Sequence, residues 1–179
     1  PKVYAAAERF IEAGDWLVWQ LTGLEKRCLS AAGFKAMRVS RAKNKRGWTY
    51  PSKSFFKSLN PRLTNVIGDK MESEIISLGS NAGGLTEKMA KLTGLLPGTP
   101  VAAANIDAHA AVPASTVTEP GKLVMIMGTS TCHLLAAKKG KQVEGVCGIV
   151  KDGVIPGFWG YEAGQSGVGD VFAWFIENG

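Results

Sequence analysis

Three small residues, Gly128, Thr129 and Ser130, lie between two apolar stretches that have the length of strands. A glycine at such a turn lets the backbone fold back tightly and point successive N–H groups outward, and a concave set of such donors suits phosphate oxygens. The common phosphate-loop pattern G-x-x-x-x-G-K-[ST] does not occur in the sequence. Because Ser and Thr also favour ordinary hairpin turns, the spacing alone leaves a phosphate site and a plain turn as alternatives.

Two carboxylates stand where they could act on a polar ligand. Asp107 follows the mostly apolar residues 101–106, so we expect it at the end of a buried strand and the start of a helix. There it could be a general base for a hydroxyl, or it could simply cap the helix. Glu162 lies in a glycine-rich stretch, 160–170, where it could bind a polar ligand or cap the following helix. We expect His109 to pack or hydrogen-bond inside the protein, since it has no second His or Cys at metal-ligand spacing.

The elements that must position these residues are short. Helical spacing runs from residue 3 to 23, with a break predicted at Gly14 and Asp15 and an end at Gly23. Further helices are predicted to follow Ser52 and Thr86, and residues 31–37 are predicted to form a loop or short strand. The remaining predictions are a helix at 107–114, a fully buried strand at 123–127, strands at 131–136, 146–150 and 154–158, a turn at Asp152 and Gly153, and a last helix from about 170.

The composition excludes several classes of protein. The chain has 179 residues, of which 45% are hydrophobic and 20% charged, close to ordinary globular usage. This is unlike a disordered or fibrous chain, and no stretch approaches the ~20 apolar residues of a membrane span. The three cysteines are widely spaced and form no C-x-x-C motif, which fits a reducing, cytoplasmic compartment better than a disulfide framework.

The positive charge is concentrated between residues 26 and 62, which hold eleven Lys or Arg and no acid. Within this run, five basic residues are followed by two aromatic ones: Arg38, Arg41, Lys43, Lys45, Arg46, then Trp48 and Tyr50. Such a run could bind nucleic acid through phosphate contacts and stacking. A solvated loop is the interpretation we favour, because the run is short and matches no nucleic-acid motif.

Several longer strings occur together and in order, and they resemble the FGGY family of carbohydrate kinases. The similarity extends over essentially the whole chain and is weakest at residues 38–50. The strings that carry it are 10–23, 31–36, 105–109, 124–133 and 156–166, followed by Gly169, Asp170 and residues 172–175.

This resemblance implies specific roles for the residues singled out above. Asp107 matches the family's general base, and Gly128, Thr129 and Ser130 match the loop that holds the ATP phosphates. Lys35 and Glu162 match positions that hydrogen-bond a ketopentose. The implied reaction is phosphorylation by ATP with Mg²⁺, and L-ribulose is the sugar favoured over D-ribulose or another pentulose. No residue of this chain is implied as a metal ligand.

The resemblance also implies an α/β fold of the actin-like, ribonuclease H-like kind, in which two lobes enclose sugar and ATP. Residues 1–117 would be the C-terminal portion of the N-terminal lobe, and residues 118–179 the start of the C-terminal lobe. The family's Asp-x-Gly-Thr phosphate motif and its adenosine-binding segment have no counterpart in the sequence. We therefore expect an internal fragment that is inactive alone, from a cytoplasmic enzyme that binds no membrane. A homo-oligomer and nucleic-acid binding through residues 26–62 stay open as alternatives.

Overall fold

A computed structural model describes residues 2–40 and 48–179 of the chain. Its helices are α1 Lys2–Ala6, α2 Ala13–Thr22, α3 Leu29–Phe34, α4 Lys53–Leu59, α5 Glu87–Thr93, α6 Asp107–Ala114 and α7 Gly169–Asn178, with a 3-10 turn at Pro61–Leu63 and a π-helical turn at Ile67–Met71. Its strands are β1 Lys26–Cys28, β2 Val39–Ser40, β3 Trp48–Thr49, β4 Glu74–Ile76, β5 Asn81–Gly84, β6 Pro100–Ala102, β7 Leu123–Met127, β8 Thr131–Ala137, β9 Gly148–Lys151 and β10 Trp159–Gln165.

The largest sheet lies in the second half of the chain and has the order β7-β8-β10-β9, with every neighbouring pair antiparallel. Helix α6 packs against β7 and β8. The core between helix and sheet is formed by Ala108, Val112, Leu134, Ala136, Val154 and Ile155. Ala108 and Val112 precede the predicted division between residues 117 and 118, so this core includes residues from both sides of it. The division itself stays a prediction.

Three two-stranded sheets make up the rest of the described strands. β1 and β4 are parallel, while β2–β3 and β5–β6 are antiparallel. Helix α2 packs against β1, β5 and β6. No helix within residues 2–40 and 48–179 combines the length and apolar character that crossing a membrane requires.

The predicted break in the first helical segment is displaced. The break covers residues 7–12, and Gly14 and Asp15 lie inside α2, which ends at Gly23 in the left-handed conformation as predicted. Asp15 is buried, and its carboxylate accepts the N–H of Cys28 at 2.8 Å. Burial raises the pKa of Asp15, and the Cys28 N–H opposes this rise. This acid therefore ties α2 to β1 instead of interrupting the helix.

The cap residues predict the other early helices correctly. The Ser52 hydroxyl accepts the N–H of Phe55 at the start of α4. Thr86 does the same for Met89 at the start of α5, which ends at a left-handed Gly94. Each hydroxyl satisfies a donor that would otherwise lack a partner in the first helical turn.

Two strand predictions are wrong. Residues 31–37 do not form a strand, because α3 occupies Leu29–Phe34. Residues 154–158 form a loop, because Asp152 is left-handed and its carboxylate accepts the N–H of Gly157, which holds the loop closed before β10. Val154 and Ile155 are apolar because they fill the core from this loop.

Two further strand predictions are only partly right. The strand predicted at 101–106 is limited to Pro100–Ala102, and its residues are only partly buried. Strand β7 has the predicted bounds but is not fully buried, since Leu123, Met125 and Met127 are 59%, 48% and 66% exposed. Only the alternate face of β7, with Val124 and Ile126, packs on the core.

Candidate functional site

A cavity of about 240 Å³ brings Lys35 and Asp107 together. Its walls come from the start of α2, from β1 and α3, and from the segment that leads into α6. The complete lining is Glu12, Ala13, Gly14, Asp15, Cys28, Ala31, Lys35, Ala104, Asn105, Ile106 and Asp107. Two of the six residues predicted for the site, far apart in sequence, therefore share one cleft.

Asp107 is the first residue of α6 and is exposed. It does not cap the helix, since the cap position is Ile106. Among the described residues, none donates a hydrogen bond to the Asp107 carboxylate. The capping alternative is thereby removed, and the carboxylate can accept a proton from a ligand in the cleft.

Lys35 directly follows α3, and its ammonium group lies 2.9 Å from a carboxylate oxygen of Glu12. The Lys35 side chain is 50% exposed, so the ion pair is in contact with solvent. Such pairs contribute little to stability, because water competes for both charges. A polar ligand in the cleft could therefore take over one of the three Lys35 donors at small cost.

Glu162 lies within strand β10, not in a loop as predicted, and it does not cap α7, whose cap position is Val168. In the register of the sheet it is paired with Leu134, whose side chain lies in the core beneath α6. The Glu162 carboxylate lies on the same side and contacts the His109 ring, with 3.3 Å between Oε2 and Nε2. The side chain is 22% exposed, which leaves part of the carboxylate open to a ligand.

Asp107 and Glu162 both act on the thiol of Cys132. Burial raises the pKa of Cys132, and the negative charges of Glu162, Asp107 and Cys147 raise it further. A like charge disfavours the thiolate only when it lies near the sulfur. Both candidate carboxylates therefore lie near one half-buried thiol on β8.

The Glu162→Gln variant should make Cys132 more reactive. Removing the negative charge lowers the pKa of Cys132, so more thiolate is present at a fixed pH, and the thiolate is the form that reacts with iodoacetamide. We expect severalfold faster alkylation at pH 8, followed by mass spectrometry of the Cys132 peptide. The exposed Glu144, changed to Gln, is the control and should leave the rate unaltered. An unchanged or slower rate in Glu162→Gln would contradict the proximity of the two groups.

The predicted phosphate loop is the exposed connection between β7 and β8. The Gly128 N–H bonds back to the Ser130 carbonyl at 2.8 Å. In the part of the chain that the structure describes, the N–H groups and hydroxyls of Thr129 and Ser130 donate no hydrogen bond, so four donors are available to a ligand. Ser130, the last residue of the loop, is four residues along β8 from Leu134, the partner of Glu162, which is about 13 Å at strand spacing. The plain turn and the phosphate loop both stay compatible with this geometry.

The turn before α7 holds this loop in place. The Val168 N–H bonds to the Thr129 carbonyl at 2.9 Å, and the Gly169 N–H to the Gly128 carbonyl at 3.0 Å. A side chain at Gly169 would place its Cβ 2.5 Å from the Gly128 carbonyl oxygen. Only glycine allows the two backbones to approach this closely.

A second cavity, of about 700 Å³, is larger than the cleft but contains none of the six predicted residues. Arg38 and Tyr50 of the basic run line it, whereas Arg41, Lys43, Lys45 and Arg46 lie outside the described residues. Elsewhere in the run, Lys26, Arg27 and Lys35 form ion pairs with Glu74, Glu25 and Glu12. Acids from outside the run thus offset part of its charge.

Ser30 is a residue that the sequence interpretation missed. It is fully buried on α3, and its hydroxyl lies 2.7 Å from Nδ1 of His109. His109 is buried and hydrogen-bonded as predicted. A single serine just before the string 31–36 carries no spacing signal, so only the contact between Ser30 of α3 and His109 of α6 identifies the pair.

The described residues do not group into a metal site. Across residues 2–40 and 48–179, no three His, Cys, Asp or Glu side chains are grouped so that they could hold an ion. The donors of the 128–130 loop suit phosphate oxygens and not a cation.

Comparison with known proteins agrees with the resemblance seen in the sequence. Residues 123–179 match the C-terminal domain of the FGGY family of carbohydrate kinases. The ribulokinase of Bacillus licheniformis is 53% identical over 178 residues, which are 99% of this chain and 31% of that protein. The ribulokinase of Mycolicibacterium smegmatis is 48% identical over 178 residues, 99% of this chain and 30% of that protein. The chain thus spans about three tenths of the length of the curated relatives it matches.

Solved structures show the same fold at low sequence identity. The xylulose kinase of Rhodospirillum rubrum superposes with a TM-score of 0.74 at 18% identity, over 99% of this chain and 33% of that one. The gluconate kinase of Lactobacillus acidophilus superposes with a TM-score of 0.73 at 12% identity, over 97% and 32%. The α/β fold is that of a sugar kinase, and residues 123–179 belong to the C-terminal domain of the FGGY family of carbohydrate kinases.

Proposed function

We propose that this chain supplies the sugar site and the phosphate loop of a pentulose kinase that transfers the γ-phosphoryl group of ATP to L-ribulose. The observation that carries the proposal is the exposed, unpartnered Asp107 carboxylate, in one cleft with Lys35 and near Glu162. Relatives at about half identity are named ribulokinases, which supports ribulose as the sugar. The choice of L-ribulose rests on the family resemblance of residues 161–164. D-ribulose or another pentulose is the alternative within the family.

In the proposed reaction, Asp107 accepts the proton of the attacking sugar hydroxyl. The hydroxyl oxygen then forms a bond to the γ-phosphorus as the bond to the β-phosphate oxygen breaks, giving the sugar phosphate, ADP and a proton. Positioning supplies much of the catalysis, because little covalent chemistry is left to the protein in phosphoryl transfer. Lys35 donates to the ketopentose and Glu162 accepts from its hydroxyls.

The 128–130 loop is proposed to hold the ATP phosphates. The N–H groups and hydroxyls of Thr129 and Ser130 are free to donate to phosphate oxygens. Such donors stabilise the charge that moves toward ADP during transfer. In this proposal residues 1–117 belong to one lobe and residues 118–179 to the next, so sugar and phosphate contacts come from both.

A reducing compartment is proposed on the chemistry of the thiols. The structure has free cysteines at Cys28, Cys132 and Cys147, and the first is buried. Free thiols persist where glutathione and thioredoxin keep them reduced. We therefore propose a cytoplasmic enzyme.

A hybrid protein tests the proposed function. This chain replaces the matching segment of the Bacillus licheniformis ribulokinase, to which it is 53% identical. The resulting hybrid kinase should release ADP when ATP is supplied with L-ribulose, and more slowly with D-ribulose or xylulose. The 179-residue chain without the rest of that protein should release none. A folded hybrid that phosphorylates no pentulose, or ADP release by the chain alone, would contradict the proposal.

A further inference from the structure

The His109 ring is fixed by three contacts that come from two other elements. It is 0% exposed, with Nδ1 2.7 Å from the Ser30 hydroxyl and Nε2 3.3 Å from a carboxylate oxygen of Glu162. The ring of Phe34 meets it edge to face, with 4.6 Å between centroids. Ser30 and Phe34 lie four residues apart on α3, so one face of that helix carries both contacts.

The chemistry of the three polar groups fixes the direction of the hydrogen bonds. An ionised Glu162 carboxylate can only accept, so Nε2 of His109 carries the hydrogen and donates to it. Nδ1 of a neutral ring is then an acceptor, and the Ser30 hydroxyl must donate to it. The serine thereby selects the tautomer in which the histidine can hold the carboxylate.

The arrangement is a serine, a histidine and a glutamate in a row, but it is not a hydrolytic site. Ser30 and His109 are both 0% exposed, so no substrate can reach the hydroxyl. Only Glu162, at the end of the row, has an exposed fraction, 22% of its side chain. Whatever the row does must therefore act through Glu162.

We propose that His109, oriented by Ser30, is a positioning residue that holds the Glu162 carboxylate in place for the sugar. This inference rests on the proposed function. Oε2 of Glu162 is engaged by His109, whereas Oε1 receives no hydrogen bond from any residue within 2–40 and 48–179. Oε1 is then the atom that accepts a hydroxyl of the ketopentose. A carboxylate held at one oxygen presents the other in a fixed direction, which lowers the entropy cost of binding.

The position of His109 on α6 links the Glu162 carboxylate to the proposed general base. Asp107 begins α6 and faces the cleft, and His109 lies two residues later and faces β10. The same short helix therefore positions the general base directly and, through the His109 ring, positions the carboxylate that would orient the sugar. Ser30 adds α3, which ends next to Lys35. All three groups proposed to touch the sugar are linked through the contacts that Ser30 and Phe34 of α3 make with His109 of α6.

Spectra of the chain test the hydrogen-bond arrangement without any activity. The chain has two histidines, so the His133→Asn variant leaves His109 as the one imidazole signal. Two-bond proton–nitrogen correlations on ¹⁵N-labelled protein should show a neutral ring with the hydrogen on Nε2. The additional change Glu162→Gln should populate the other tautomer, because an amide can donate as well as accept. A hydrogen on Nδ1 before that change would overturn the proposal.

Kinetics of the hybrid kinase test the positioning role. Ser30→Ala should raise the KM for L-ribulose about tenfold and leave the KM for ATP unchanged, because only the orientation of the Glu162 carboxylate is lost. In the Glu162→Gln background, Ser30→Ala should add less than about a twofold effect, since both changes act on one carboxylate. Ser30→Thr, which keeps the hydroxyl, should restore most of the affinity.

A core variant separates positioning from stability. Val112 lies on α6, the helix that carries His109, and is 1% exposed. Val112→Ala creates a cavity there and should lower Tm without changing the KM for L-ribulose. Equal effects of Ser30→Ala on both KM values, or the same tenfold effect with Gln at 162, would overturn the positioning role. If the hybrid phosphorylates no pentulose, the proposed function fails, and the spectra still decide whether His109 holds Glu162.

Discussion

The Asp107→Asn variant of the hybrid kinase is expected to lose about 10²–10⁴-fold in kcat, the usual contribution of a general base. Asparagine has the shape of aspartate but cannot take up the proton of the sugar hydroxyl. The carboxylate is exposed and accepts no hydrogen bond from the described residues, so the substitution removes no internal contact. Tm and the affinity for an ATP analogue should therefore stay close to those of the parent hybrid.

Asp170→Asn is the matched control for this experiment. Asp170 also lies in the first turn of a helix, α7, and is also exposed. Both substitutions remove a negative charge that interacts favourably with a helix N-terminus, so both share any small loss of stability. Asp170→Asn should retain kcat. Near-normal turnover in Asp107→Asn, or an equal loss in both variants, would remove Asp107 from the chemistry.

The Gly169→Ala variant is expected to damage the 128–130 loop. The new Cβ would lie 2.5 Å from the Gly128 carbonyl oxygen, a backbone atom that can move only if the loop moves with it. Overpacking of this kind usually costs about 1–3 kcal/mol of stability. The displaced residues carry the donors proposed for ATP. We therefore expect the KM for ATP to rise about tenfold or more, which corresponds to the loss of about one hydrogen bond to a phosphate oxygen.

Gly167→Ala provides the matched control two residues away. There the nearest atoms would lie 3.5 and 3.7 Å from the Cβ, which is ordinary contact. This variant should keep both Tm and the KM for ATP, as measured by thermal unfolding and initial rates. If Gly169→Ala lowers Tm while the KM for ATP is unchanged, the loop is a plain turn and not the phosphate site.

Local signals in the sequence predict the elements that begin with a defined hydrogen bond. Ser52 and Thr86 mark helix starts because their hydroxyls satisfy backbone donors, and Gly23 marks a helix end because it adopts the left-handed conformation. The β7–β8 hairpin is also predicted, since its apolar runs flank a short turn. These features depend on neighbours within a few residues along the chain.

Features that depend on distant residues are not predicted. Val154 and Ile155 suggest a strand because they are apolar, but their burial comes from packing under α6 in a loop that Asp152 closes. Residues 31–34 join a helix because α3 packs against β1 and β9. Ser30 could not be linked to Glu162 from the sequence, because the connection runs through the buried ring of His109.

The cleft at Asp107, and not the larger cavity, is proposed to bind the sugar opposite the 128–130 loop. A crystal structure of the hybrid kinase with L-ribulose and a non-hydrolysable ATP analogue would locate both ligands. The sugar should lie between Lys35 and Glu162 with a hydroxyl within hydrogen-bond distance of Asp107, and phosphate oxygens should lie at the N–H groups of Thr129 and Ser130. Sugar bound instead in the cavity lined by Arg38 and Tyr50 would contradict this proposal.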